Sequence, residues 1–204
     1  LRNDEGLAVS YEYTYRGQTY KVGELTEDYQ NLDPNQVLIL KLLRPNAIRT
    51  DLPIWDLSMK NIYSINAGGI NRQNFQLRII YKDDITGIDN PSLHEGIRMK
   101  DIPLLEIMKL DRLNPNNDPQ KDGNFDWVEG ITVDPTNGRI IFPVLEPFGS
   151  YLTTNKWLDP VAESNLIEKY VFNEIYRKTK NDASLTANKN KFFLKGSFQS
   201  NSSS

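Results

Sequence analysis

The chain has 204 residues, a formal net charge of -3 and a hydrophobic share of 38%. It is therefore long enough to bury a sizeable core and too apolar for a fully disordered chain. The absence of cysteine excludes disulfides, zinc–thiolate sites and cysteine nucleophiles. No apolar run approaches the roughly 18 residues of a membrane-spanning helix, and the mild acidity without a basic stripe argues against nucleic acid as a partner.

Aromatic and polar residues alternate at the start of the chain. Tyr11, Tyr13 and Tyr15 fall on one face of a predicted strand, and a turn centred on Gly17 predicts a hairpin. Further along, the short apolar run Val37–Leu43 predicts a buried strand.

The middle and end of the chain predict further strands and two helices. Asp101–Leu110 has a proline in its first turn and apolar spacing typical of a short helix. A longer helix is predicted over 160–180, capped by Asp159, with an apolar stripe along one face. Strands are predicted over Met59–Ile65, Phe75–Tyr81 and Lys191–Phe198, and a hairpin over 130–144 turns at Asp134-Pro135-Thr136-Asn137-Gly138.

These elements together predict an α+β fold. We expect a mostly antiparallel, sandwich-like β-sheet with two helices, near 101–110 and 160–180. The organisation expected is a single soluble domain over 1–198, followed by a polar tail over 199–204. Because the chain begins with Leu1 and ends in this tail, we interpret it as a piece of a longer protein.

One segment has the residue spacing of a calcium-binding loop. Calcium prefers six to eight oxygen ligands on a sharply turned backbone. Gly123 stands at the position where such a loop turns. The segment 118–129 predicts a structural calcium ion held by Asp118, Gln120, Asp122, Asn124 (through its backbone carbonyl), Asp126 and Glu129.

Two features depart from that loop pattern. Gln120 is longer than the usual ligand and uncharged, and the loop leads into a predicted strand rather than a second helix. Phe125 is the apolar residue that would anchor the loop to the core. The alternative is a solvated cluster of turns, which Asn and Asp form for conformational reasons alone.

Other candidate residues indicate chemistry less specifically. His94 is the only histidine and lies in a polar loop, which does not favour a catalytic triad or a histidine-ligated metal. The three tryptophans, Trp55, Trp127 and Trp157, would suit either a sugar-binding face or packing against a core.

Three long strings in the chain resemble the SprA/Sov family, the giant outer-membrane translocons of the type IX secretion system of Bacteroidetes, which are linked to gliding motility. The strings are VLILKLLRPNAIRTDLPIWDLSMKNIYSI, LLEIMKLDRLNPNNDPQKDGNFDWVEGITVDPTNGRIIFPVLEPFG, and KYVFNEIYRKTKNDA continued by NKNKFFLKGSFQS. The resemblance runs from about residue 20 to residue 200. It carries no catalytic residues.

The resemblance implies a non-enzymatic module that caps, gates or braces the translocon, or docks a partner. Its partners would be other parts of the translocon and the secreted cargo, on the periplasmic or extracellular face of the outer membrane. The surfaces expected to matter are Tyr11–Tyr20 and the proline-flanked segment Phe142–Phe148. The alternative function is a calcium-stabilised carbohydrate-binding or adhesive β-domain of the cell surface, which would need exposed, roughly coplanar tryptophan rings.

Overall fold

A computed structural model describes residues 5–25, 27, 35, 37–83, 85–186 and 191–199. Contacts along the chain divide it into two compact units, unit 1 over Leu1–Ser58 and unit 2 over Met59–Ser204. The single domain expected over 1–198 stays a prediction.

Unit 1 contains two antiparallel ribbons of two strands each. Strand β1 (Leu7–Val9) pairs with β4 (Lys41–Arg44), and β2 (Tyr11–Tyr15) pairs with β3 (Gln18–Val22). The 3₁₀ helix Pro53–Leu57 lies at the end of unit 1.

The turn between β2 and β3 follows from its two residues. Arg16 and Gly17 both have left-handed backbones, with φ of 52° and 79°. A two-residue hairpin turn needs this conformation at both positions to match the twist of its strands. The hairpin expected at Gly17 is therefore present.

The apolar run of unit 1 is exposed rather than buried. We expected Val37–Leu43 to form a buried strand, but the strand covers only its last residues, and Val37 and Ile39 are 78% and 66% exposed. None of the described residues of unit 1 is buried. A two-stranded ribbon has no second layer to cover its faces. The buried strand that the apolar composition of Val37–Leu43 predicted is therefore wrong.

Unit 2 has two antiparallel sheets of three strands in its described residues. In one, β6 (Gln76–Lys82) lies between β7 (Asp89–Asn90) and β10 (Phe192–Ser197). In the other sheet, β9 (Arg139–Ile141) lies between β5 (Ile62–Ser64) and β8 (Val133–Asp134).

The helices of unit 2 are short: α1 (Leu104–Ile107), α2 (Tyr151–Thr154), α3 (Ser164–Tyr170), α4 (Glu174–Arg177) and α5 (Lys180–Ser184). The expected class is confirmed, as a mixed α+β fold with mostly antiparallel small sheets and few short helices. Within the described residues, no helix has the length and apolarity that crossing a bilayer requires.

The long helix predicted over 160–180 is wrong in detail, since three short helices replace it. Tyr170, Val171 and Phe172 are all buried, and three consecutive buried side chains do not fit the single apolar stripe of a surface helix. The backbone leaves the helix at Val171, and the Phe172 N–H donates to the Phe148 carbonyl at 2.7 Å.

The helix predicted over Asp101–Leu110 is also shorter than expected, because the backbone turns left-handed near both of its ends. Asp101 and Lys109 each have φ of 59°, a left-handed conformation that cannot continue a right-handed helix. Only the four residues of α1 between these two points are helical.

The core of unit 2 forms on the predicted face of β6 and extends to both ends of the unit. Leu77, Ile79 and Tyr81 are buried, as their alternation predicts. The central apolar side chains of the core with no measurable exposure include Met99, Leu104, Ile107, Met108, Val133, Ile140 and Phe142. From the expected tail, Gln199 accepts a hydrogen bond from the Asn71 N–H at 3.1 Å, and residues 200–204 lie outside the described residues.

We expect Gly138→Ala to unfold unit 2 readily. Gly138 has φ of 57°, and an added Cβ would lie 1.4 Å from the Ala67 carbonyl oxygen. The backbone must shift, so we expect a loss of about 3 kcal/mol or more in the free energy of unfolding. Gly87→Ala is the matched control, because Gly87 has φ of 66° and open space around it, and its cost is about 1 kcal/mol. Equal losses in denaturant titrations would contradict the steric account.

Candidate functional site

The β2–β3 hairpin carries a face of four tyrosines, which we call the tyrosine face: Tyr11, Tyr13, Tyr15 and Tyr20. The strand register places Tyr13 directly opposite Tyr20. Their rings stack with centroids 5.2 Å apart and planes 17° apart, and the Tyr11 ring lies 6.1 Å from that of Tyr13. The Arg16 guanidinium lies 5.1 Å from the centre of the Tyr15 ring.

The tyrosine face is open to solvent. Its four side chains are between 37% and 56% exposed. Tyrosine combines a large apolar body with a polar hydroxyl, a combination that is enriched at protein interfaces. This arrangement is suited to contact with another surface.

The second surface expected from the sequence behaves differently. Within Phe142–Phe148, both phenylalanines and Val144 are buried in unit 2. The Phe148 N–H donates to the Tyr176 hydroxyl at 3.1 Å, and that hydroxyl lies 2.6 Å from the Tyr63 hydroxyl. The phenylalanines of this segment therefore pack in the core of unit 2, whereas the tyrosine face is exposed.

The predicted calcium loop is held together by two buried carboxylates. Asp111 accepts the backbone N–H groups of Asp122 and Gly123 at 3.0 and 3.1 Å. Asp126 accepts those of Arg112 and Leu113 at 2.7 and 3.0 Å. These bonds tie the middle of the loop, at 122–126, to residues 111–113, which precede it.

The predicted ligands of the loop have hydrogen bonds within the protein. Asp118 accepts from the Asn114 side chain, and Asp122 accepts from the Asn124 N–H. Glu129 lies 3.4 Å from the indole nitrogen of Trp127, which donates to it. Gln120 is exposed and contributes only its backbone N–H to a turn on Asp118.

The acidic side chains of the loop belong to no cluster of three that could hold a metal ion in the described residues. Among the residues that the structure describes, no three acidic or histidine side chains converge as a metal site requires. The two features of the loop that agree with expectation are the left-handed turn at Gly123, with φ of 82°, and the anchoring of Phe125 against Phe75 in the core. Calcium binding by the loop stays a prediction.

Burial raises the pKa of the Asp126 carboxyl above its ordinary value. The two backbone N–H groups that it accepts act in the opposite direction, and the negative charges of Asp111 and Asp122 add to the rise. The charges of Asp111 and Asp122 therefore oppose the ionisation of Asp126, although the described residues contain no cluster of three acidic side chains that could hold a metal ion.

The tryptophans do not form a sugar-binding platform. Trp127 is buried against Phe75, with ring centres 4.8 Å apart. Trp157 and Trp55 are half-buried, and the Trp157 indole donates to the Tyr151 hydroxyl at 3.4 Å. The condition that the carbohydrate-binding alternative requires is therefore not met by these three rings.

Two further buried carboxylates have structural partners, and of the two only Glu163 was missed by sequence reasoning. Glu163 accepts the N–H groups of Ile97 and Asp159, both at 2.7 Å. Glu146 lies 3.5 Å from the Lys60 ammonium and 3.3 Å from the Arg177 guanidinium. Ile97, Lys60 and Arg177 lie far along the chain from these acids, so local spacing does not signal those contacts.

The single histidine has an equally local role. His94 Nδ1 lies 2.8 Å from a carboxylate oxygen of Asp101, and both side chains are well exposed. Among the contacts described for His94 and Asp101 there is no serine, so the geometry gives no support for a catalytic triad.

Comparison with known proteins adds no relative to this picture, because no protein-family model and no curated protein matches the chain. The chemistry of the described surfaces therefore carries the functional inference. The tyrosine face is the surface whose residues are both exposed and ordered against each other.

The calcium prediction is tested by thermal melts in calcium and in EDTA. We expect a higher melting temperature in calcium than in EDTA, and we expect Asp122→Ala to abolish the rise, since a ligand that binds only the native state must stabilise it. Equal melting temperatures in the two buffers would contradict the calcium prediction, and the loop would then depend on the backbone N–H groups that Asp111 and Asp126 accept.

The raised pKa of Asp126 predicts a pH dependence of stability. A raised folded pKa means that the native state holds the proton to higher pH than the unfolded chain does. The stabilising contribution is therefore full below the ordinary pKa of 3.8 and is lost as pH rises through the folded pKa. We expect the wild type to lose melting temperature relative to Asp126→Asn across that interval. Parallel pH profiles of the two proteins would contradict the assignment.

Proposed function

We propose that the chain is a non-enzymatic interaction module of an outer-membrane protein-secretion translocon, of the type IX system linked to gliding motility. Its work would be to dock or brace a neighbouring part of the translocon, on the periplasmic or extracellular face of the outer membrane. The observation that carries this proposal is the exposed tyrosine face of unit 1.

Physical reasoning on the hairpin supports a docking role. A two-stranded hairpin is marginally stable alone in water and gains stability when further strands or a packing surface cover it. The tyrosine face leaves aromatic area in water that a partner would bury, and buried tyrosines are frequent centres of binding energy. The stacked pair Tyr13 and Tyr20 is already ordered, which lowers the entropy lost on binding.

The resemblance to the SprA/Sov family supports the choice of partner. The three strings that carry it cover both units and include the segment 104–149 of the unit 2 core. Under this proposal the partners are other parts of the translocon and the cargo that passes through it.

The buried charges of unit 2 support a structural rather than a catalytic role. Glu146 and Glu163 are each surrounded by cations or backbone N–H groups of their own unit. Carboxylates with such partners stabilise loops, whereas a catalytic acid needs access to a substrate.

The experiment replaces tyrosines in the full-length protein that carries this sequence, in its own bacterium. We expect Tyr11→Ser, Tyr13→Ser and Tyr20→Ser together to reduce cargo in the medium severalfold, because each buried tyrosine of an interface contributes about 2 kcal/mol when it is a hot spot. Cargo is measured by immunoblot, alongside the amount of translocon in the outer membrane.

The matched control removes equally apolar side chains from unit 2, where Ile85, Val161 and Leu185 are each more than 80% exposed. We expect Ile85→Ser, Val161→Ser and Leu185→Ser together to leave export unchanged. A melt of the purified chain checks that the tyrosine variant folds. Normal export by a folded tyrosine variant would contradict the proposal.

A further inference from the structure

A second surface of unit 1 has a different chemistry from the tyrosine face. The segment 37–49, which we call the aliphatic segment, reads VLILKLLRPNAIR. It contains the cations Lys41, Arg44 and Arg49 and no acidic residue, in a chain whose net charge is -3. Its exposed aliphatic side chains are Val37, Leu38, Ile39, Leu40, Leu42, Leu43 and Ile48.

The exposure of this segment is a property of its pairing. Strand β4 pairs with β1, and Ile39 exchanges hydrogen bonds with Glu24 through its backbone, at 2.9 and 2.8 Å. The backbone is thus fixed while the side chains on both faces face water. A contiguous exposed apolar patch on a folded unit marks a site that contacts another protein or a membrane.

The end of the segment borders a cavity of about 660 Å³. Its walls are the residues 43–49 and the 3₁₀ helix, including Ile48, Ile54 and Trp55. This volume falls within the range of small-molecule sites, which are mostly apolar with a few polar groups at the rim.

Two arginines line that same cavity. Arg44 is half-buried, and Arg49 donates two hydrogen bonds to Asp51, at 2.8 and 2.6 Å. Both members of the Arg49–Asp51 pair are more than half exposed. Exposed ion pairs contribute little to stability, and a guanidinium binds phosphate oxygens with the same two-pronged geometry. A phosphate can therefore replace the Asp51 carboxylate at small cost.

We propose that the aliphatic segment binds the surface of an anionic lipid bilayer. Its aliphatic side chains lie among the acyl chains, Lys41 and Arg44 contact the phosphate groups, and the cavity accepts part of an acyl chain beside Arg49. Charge complementarity selects this occupant, since the three cations of the segment lie among its aliphatic residues and its sequence contains no acid. The Glu24 carboxylate, which accepts the Ile39 N–H, is an acid that the structure places against the segment. The inference goes beyond the proposed function and concerns different residues from the tyrosine face.

The test is flotation of the purified 204-residue chain with vesicles of phosphatidylglycerol, compared with vesicles of phosphatidylcholine. We expect binding to the anionic vesicles. Lys41→Gln should weaken it about fivefold, the effect of one cation at an anionic membrane surface. Val37→Ser with Ile39→Ser should weaken it about tenfold or more, since each aliphatic side chain loses its burial.

Two control variants change unit 2 in the same way. Lys178→Gln removes an exposed cation, and Ile85→Ser with Val161→Ser removes two exposed aliphatic side chains. We expect both controls to bind as the wild type does. Because only lipid and the purified chain are present, the result is independent of whether the tyrosine face docks a translocon.

Several outcomes would overturn the inference. Absence of binding, equal binding to both kinds of vesicle, or unchanged binding by the Lys41 and Val37/Ile39 variants would each do so. Sedimentation of the lipid-free chain is measured as well. A dimer that dissociates in the Val37/Ile39 variant would identify a second copy, not lipid, as what covers the segment.

Discussion

Buried carboxylates hold together the parts of unit 2 that regular secondary structure does not. Short helices and strands leave many backbone N–H groups without a partner in their own element. Asp111, Asp126 and Glu163 each accept two such groups from loops, at 2.7–3.1 Å. A charged acceptor forms stronger hydrogen bonds than a carbonyl does, and a buried N–H without a partner is costly. The short elements of this unit therefore depend on a few acids spaced widely along the chain.

The two units differ in how they treat their apolar side chains: unit 2 buries many of them in a core, whereas the described part of unit 1 leaves them accessible to solvent. Unit 2 surrounds one core with two three-stranded sheets and short helices, and its aromatic residues meet edge to face, as Tyr63 and Phe142 do. The described residues of unit 1 form two-stranded ribbons and a 3₁₀ helix, and none of them is buried. Both functional proposals follow from this contrast, because a partner or a lipid surface would supply the missing layer. The two surfaces differ in chemistry, one aromatic and one aliphatic with cations.

Local patterns in the sequence predicted the elements whose causes are local. The Gly17 turn, the alternating face of β6 and the hairpin at Gly138 depend on residues within a few positions of each other. The break near Phe172 was not predictable, because its cause is a hydrogen bond to Phe148 in another part of the chain. The same holds for the aliphatic segment, since an apolar run does not tell whether a second layer covers it. At the calcium loop, the spacing identified an acidic turn but not the Asp111 carboxylate that closes it.

The pairing of β6 with β10 has a consequence for how unit 2 folds. These strands align from Gln76 opposite Ser197 to Tyr81 opposite Phe192, so the core strand finds one neighbour more than a hundred residues later. During synthesis, one edge of β6 lacks its partner until β10, more than a hundred residues later, has been made. An open strand edge is a template for pairing with other chains, and closing so long a loop is slow. A cell that makes this unit has reason to shield that edge until β10 has been made.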